Sequence, residues 1–324
     1  MSKLAVGIIE AAKALGSRIE TNEELCRTCP TTPEIIVAKT GILQRHKAQG
    51  RETTSSLALD ASRAVIKEAG IGPKDIGMIV ACTFVNDYLF PSLAARLHRD
   101  LGCGPNVLAY DMQANCSGFI SALVAVSDRM EADHSIEWGL IVGAEVLSPY
   151  IDLYDAATAP FFSDGAGAVI LGHTFPEWIG PVAYSRRGIM SSAFTMDTSN
   201  FESVRLTHHE GQIEQAGLAT WKQAVTHLPG VIRTAVERAG WKMEDVDVFI
   251  PHQANLVLLE FLAARLGWKD KLFTNVATTG NTGAASIAVG IADAYAAGRL
   301  HPGTKVVIAG IGAGFSFGAA CLEM

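Results

Sequence analysis

Asp111-Met112-Gln113-Ala114-Asn115-Cys116-Ser117-Gly118-Phe119 is the stretch on which the reading of this chain turns. It follows an apolar, strand-like run, Val107-Leu108-Ala109-Tyr110, and leads into an amphipathic, helix-like one. A cysteine at a strand-to-helix turn lies under the first unpaired N–H groups of the helix, whose dipole favours thiolate over thiol. The plainer reading is a small buried hydrophobe, as most free cysteines are. The rest of the chain adds weight to the first. Gly118, Ser121, Val124 and Asp128 recur as Gly283, Ser286, Val289 and Asp293, each 165 positions on. Upstream, Glu68-Ala69-Gly70 followed by Asp75 and an apolar strand returns as Arg238-Ala239-Gly240 followed by Asp245 and an apolar strand, offset by 170. Two matches in the same order indicate an internal duplication.

Each half alternates helices with short apolar strands. Residues 56–68 read as a helix with Leu57, Leu59, Ala64 and Val65 on its apolar face, and 77–81, 138–144, 166–171, 246–250 and 304–309 read as strands. Continuous Val/Ile runs between helices predict sheets buried on both faces, hence a layered α/β fold of two halves, 1–172 and 173–324. Residues 175–223 are richer in polar and turn residues and are expected to cap a pocket.

Composition narrows the function classes. At 324 residues and 49% hydrophobic content the chain buries a large core. A formal net charge of −7 with no basic run argues against nucleic acid or an anionic membrane as partner. The N-terminus carries no signal-peptide pattern, and the glycines between Val306 and Leu322 fit a buried strand–turn–strand better than a membrane helix, so a soluble, cytoplasmic protein is expected. The six cysteines are expected to be reduced thiols; Cys26-x-x-Cys29 has no second ligand pair, so no metal site is expected there.

Two further residues stand in unusual settings. His252, in Pro251-His252-Gln253-Ala254-Asn255, ends a strand, which is where α/β proteins bind ligands. Asn281, in Gly280-Asn281-Thr282-Gly283, occupies the place in the second half that Cys116 occupies in the first. Alone, such a histidine is more often structural and such an asparagine a turn residue. A pseudo-twofold relation between the halves would bring all three to one centre. The chemistry then closes: a thiolate takes an acyl group from a thioester. A neutral imidazole and a carboxamide can stabilise the enolate left when a malonyl unit loses CO2. Backbone N–H groups of Cys116 and Ala313, in Gly312-Ala313-Gly314-Phe315, are the expected oxyanion hole.

Those motifs, with Thr40-Gly41-Ile42 and Ser163-Asp164-Gly165-Ala166-Gly167-Ala168, resemble the thiolase superfamily, specifically β-ketoacyl-acyl carrier protein synthase III, over nearly the whole chain. The resemblance implies a five-layer αβαβα sandwich working as a homodimer, with Cys116 as nucleophile and His252 and Asn281 as the decarboxylation pair. It implies no cofactor, only small-molecule or carrier-protein thioesters as substrates, with an acyl carrier protein as partner. Phe90 matches a residue that family members insert into the partner's acyl pocket.

The entrance departs from the family. Val257 stands where an arginine follows the His-Gln-Ala-Asn motif, Ile35 where a tryptophan stacks on the coenzyme A adenine, and Ala156 where an arginine covers its other face. Lys39 keeps the charge of a third arginine without its bidentate geometry. The expectation is a Claisen-condensing acyltransferase of polyketide or other secondary metabolism. The alternatives are acyl transfer to a hydroxyl or amine without C–C bond formation, and housekeeping fatty-acid initiation. A type III polyketide synthase, a thiolase and an inactive partner subunit fit less well.

Overall fold

A computed structural model of the chain describes residues 5–174, 177–178, 184–185, 188–207 and 211–324. Five strands, β1 (Ala5–Leu15), β2 (Ile76–Cys82), β3 (Leu108–Met112), β4 (Trp138–Glu145) and β5 (Gly165–Thr174), form one sheet in the order β1-β5-β4-β2-β3. Four more, β6 (Gly188–Met196), β7 (Val248–Pro251), β8 (Lys305–Gly312) and β9 (Ser316–Glu323), form a second in the order β6-β9-β8-β7. The helices that concern the site are α1 (Pro33–Thr40), α2 (Thr54–Glu68), α3 (Leu93–Leu101), α4 (Gly118–Ala132), α5 (Gly217–Arg238), α6 (Leu256–Leu266) and α7 (Ser286–Ala296).

The duplication reappears as topology. In both sheets the first strand pairs antiparallel with the last, the last antiparallel with its neighbour, and that neighbour parallel with the next. The glycine-containing run from Val306 to Leu322 forms the β8–β9 hairpin, a buried strand–turn–strand as expected. Helices α4 and α7 lie between the sheets, and one apolar cluster joins Phe119, Leu123 and Val126 of α4, Ile287 and Ile291 of α7, and inward residues of both sheets. Outside, α2 and α3 cover the first sheet, α5 and α6 the second. The result is the layered α/β fold that the alternation predicted, in the five-layer αβαβα form that the resemblance implied. In α2 the buried stripe runs Leu57-Ala58-Ala61-Val65, a 3.6-residue period; Leu59 and Ala64, expected on that face, are only half-buried.

Glycine sets how deeply the central helices enter. Gly143 of β4 and Gly167 of β5 are cross-strand partners. A Cβ on either would fall 2.5–2.6 Å from atoms of Ala284 or of Ala288 and Val289, so the bare pair opens a trough for the first turn of α7. In the other half Gly312 does the same against the turn before α4, where a Cβ would sit 2.8 Å from Ala114 O and Ser117 Oγ. Elsewhere, Cys26 caps the short Asn22–Leu25 helix, Cys29 is buried beside it, and all six cysteines are free. Among the described residues no helix is long and apolar enough to cross a membrane.

Candidate active site

Cys116 sits in a single tight turn, Asn115–Ser117, that runs directly into α4. Asn115 adopts φ 49°, a left-handed conformation asparagine tolerates better than most residues, and its Nδ2 donates to Ala313 O at 3.0 Å. The Ser117 and Ser316 hydroxyls pair at 2.7 Å. The nucleophile's turn is thereby clamped to the Gly312–Phe315 turn. The expectation of a resting thiolate does not hold. Burial pushes the Cys116 thiol up to about 12, a charge on the nearby Glu145 would add to this, and only the residue's own N–H acts the other way. Desolvation of the anion outweighs the helix terminus, so the sulfur is protonated at rest.

His252 follows β7, and its N–H donates to Ala309 O at 2.7 Å across the parallel pair. Complete burial lowers its imidazole to about 4, so the ring is neutral. Its Nδ1 lies 2.6 Å from Ser286 Oγ, which also accepts the Gln253 N–H at 2.9 Å. Among the described residues the ring nitrogen is the acceptor within reach of the Ser286 hydroxyl proton. This assigns Nδ1 as acceptor and leaves the proton on Nε2.

Asn281 is fixed by its backbone and its side chain. Its N–H donates to Phe161 O and its C=O accepts from Ser163 N–H, both at 2.9 Å, while Oδ1 accepts from Gly283 N–H at 3.0 Å. That leaves the carboxamide NH2 as the group available to a ligand. The single turns Asn115–Ser117 and Gly283–Ala285 touch, so the two helix starts do converge.

Cys116, His252, Asn281 and Ala313 line one cavity of about 1290 Å³. Phe84, Val85, Tyr150, Phe162 and Ile213 give it apolar walls. Phe201, Glu202, Val204–Thr207, Thr220 and Trp221 line another side, as expected of a cap, although residues 175–176, 179–183, 186–187 and 208–210 of that region lie outside the described residues. The five other candidate residues are not brought to the cavity. Phe90 is 85% exposed, and Ala156 lies on an exposed turn. Ile35 and Lys39 lie on α1 and Val257 on α6, which Asn255 joins by donating to Lys39 O at 3.0 Å. Sequence reading passed over Ser286, which it counted only as part of the repeat, and Trp221, whose ring lies 5.5 Å from that of Phe261 at a tilt of 53°, one helix turn beyond Val257. It also passed over Glu145, whose signal was a charged residue closing an otherwise apolar strand.

This fold and this convergence are those of a thiolase-like condensing enzyme. Residues 110–188 match 3-Oxoacyl-[acyl-carrier-protein (ACP)] synthase III, and residues 236–324 match the C-terminal part of the same family. The chain belongs to the 3-oxoacyl-[acyl-carrier-protein] synthase III family and is a condensing acyltransferase. A β-ketoacyl-[acyl-carrier-protein] synthase III of Rhizorhabdus wittichii is 37% identical over 323 residues, 98% of each chain. The synthase III structure from Aquifex aeolicus superposes with TM-score 0.91 at 31% identity, covering 98% of this chain and 100% of that one. The priming β-ketosynthase of the R1128 polyketide pathway does so with TM-score 0.91 at 28%, covering 99% and 97%.

Proposed function

We propose that the protein condenses an acyl group held on Cys116 with a malonyl-thioester that loses CO2 in the same cavity. The observation that carries this is the meeting of Cys116, a neutral His252 with Nε2–H, and the available NH2 of Asn281 on one cavity. The Cys116 sulfur attacks the donor thioester; the thiol proton leaves with the departing carrier thiol, and an acyl-cysteine remains. The Cys116 and Ala313 N–H groups hold the tetrahedral oxyanion. The malonyl-thioester then releases CO2, and its enolate oxygen takes hydrogen bonds from His252 Nε2 and Asn281 Nδ2. The enolate carbon attacks the acyl-cysteine carbonyl, the C–S bond breaks, and the departing Cys116 thiolate takes a proton from solvent to restore the thiol. No metal or other cofactor enters these steps.

We assign the donor to an acyl carrier protein and the pathway to polyketide or other secondary metabolism, with the enzyme as a homodimer whose Phe90 reaches the partner's pocket. Ile35, Val257 and Ala156 offer no guanidinium or indole to the adenine and phosphates of coenzyme A. Each lost charged contact is worth roughly 1.5–3 kcal/mol, or about tenfold to a hundredfold in binding. The likeness to the R1128 priming enzyme supports this pathway class, while the synthase III relatives support fatty-acid initiation as the second reading. Second-order rates of Cys116 acylation from a cognate acyl-carrier protein and from acetyl-coenzyme A decide. A faster carrier reaction is expected; an equal or faster coenzyme A rate returns the enzyme to fatty-acid initiation.

A further inference from the structure

Glu145 ends β4 with no exposed surface, and the reaction as written gives it no part. Its Oε1 accepts the Phe84 N–H at 3.2 Å and its Oε2 faces the Thr83 hydroxyl at 3.1 Å, while the backbone amides of Val85 and Ala284 favour its charged form. Gly283 lies against its stem: a Cβ there would fall 2.9 Å from Glu145 Cγ and 3.1 Å from the Phe84 ring. The carboxyl group is therefore wedged between two pieces of the site. On one side is Thr83-Phe84-Val85, a cavity wall. On the other is the Gly283–Ala285 turn, whose first N–H fixes Asn281 Oδ1.

Resting on the condensation proposed above, we propose that Glu145 is a positioning residue: its carboxyl group locks the Phe84–Val85 wall to the turn that aims Asn281. Burial holds this carboxyl well above the usual carboxylate range, in keeping with a neutral state. The titratable groups around it and Cys116 are the buried Cys82 thiol at the end of β2, Asp111 at the end of β3, which acts on Cys82, and the neutral His252. Of these, Glu145 is the carboxyl that bears on the Cys116 sulfur.

The test compares Glu145→Gln and Glu145→Ala with the parent enzyme. Three quantities are read: acyl mass on Cys116, condensation kcat and KM, and the pH profile of Cys116 alkylation by iodoacetamide. Glutamine keeps the shape and the neutral polar head, so its condensation should stay within a few fold of the parent and its alkylation profile should coincide with the parent's. Alanine removes the wedge; displacement of Asn281 by about an ångström should cost on the order of a hundredfold in kcat, with acylation reduced far less. Glu145→Gln as inactive as Glu145→Ala, or a Gln profile displaced by a pH unit to lower pH, overturns the proposal. So does Glu145→Ala condensing at the parent rate. If Glu145→Ala does not fold, the Gln variant alone decides by the same criteria. A parent enzyme that gains no acyl mass refutes the condensation itself, whereas the alkylation profiles report on Glu145 regardless.

Discussion

Ser286→Ala separates the two stages of the proposed reaction. Ser286 is 1% exposed, and its hydroxyl serves both the Gln253 N–H and His252 Nδ1. Alanine leaves that buried N–H without a partner, a cost of about 1–3 kcal/mol, seen as a fall of several degrees in Tm. It also removes the donor that keeps the imidazole proton on Nε2. A hydrogen bond is worth about 1 kcal/mol net, so losing this tautomer bias should slow decarboxylation by roughly fivefold to tenfold. That is well short of the hundredfold to thousandfold expected for losing an oxyanion donor outright. Among the described residues the Ser286 hydroxyl bonds to His252 and Gln253 and not to Cys116, so acylation should be unchanged. The assay follows CO2 release from a malonyl-carrier protein on preformed acyl-enzyme, with acylation measured separately by intact mass. Decarboxylation at the parent rate, or equal loss of both stages, would refute the assignment of Nε2 as the donor.

Three further outcomes follow from burial and from the space around two glycines. His252 is neutral when folded, at about 4 against an ordinary 6.5, so the unfolded chain binds the extra proton as pH falls through that window. Stability is therefore retained above 6.5 and lost below it, by about 2 kcal/mol between pH 7.5 and 5 from this group; urea unfolding should show the loss shrinking in His252→Gln. Gly312→Ala would place a Cβ 2.8 Å from Ala114 O, Ser117 Oγ and Ser316 Oγ. It should cost about 1–3 kcal/mol and, by displacing the Cys116 turn, about a hundredfold in acylation rate. Gly230→Ala in α5, with open space around its Cβ, should be neutral or stabilising in the same melts.

The layers were legible because buried strands and helices leave period-2, period-3.6 and continuous apolar runs, and the repeat around Gly118 and Gly283 marked the two helix starts that meet. Cys116, His252 and Asn281 were legible because strand ends and helix starts are fixed by local sequence. What was not legible depends on packing between distant segments. The protonation of Cys116 is set by its depth in the packed fold, which the residues around position 116 do not record. Ser286 reaches His252 across 34 positions, and Asn115 reaches Ala313 across 198. Lys39 and Val257 are entrance residues by resemblance to the family alone; the structure puts their elements side by side through Asn255 but outside the cavity wall.

The central claim is an acyl group on Cys116 that waits for an extender activated by His252 and Asn281. Asn281→Ala, given an acyl donor and then a malonyl-thioester, tests it in one mass-spectrometric and CO2-release measurement, with Cys116→Ala alongside. The expected result is full acyl mass on Asn281→Ala with CO2 release reduced at least a hundredfold, and no acyl mass on Cys116→Ala. Acyl mass on Cys116→Ala, or CO2 release at the parent rate from Asn281→Ala, would contradict it.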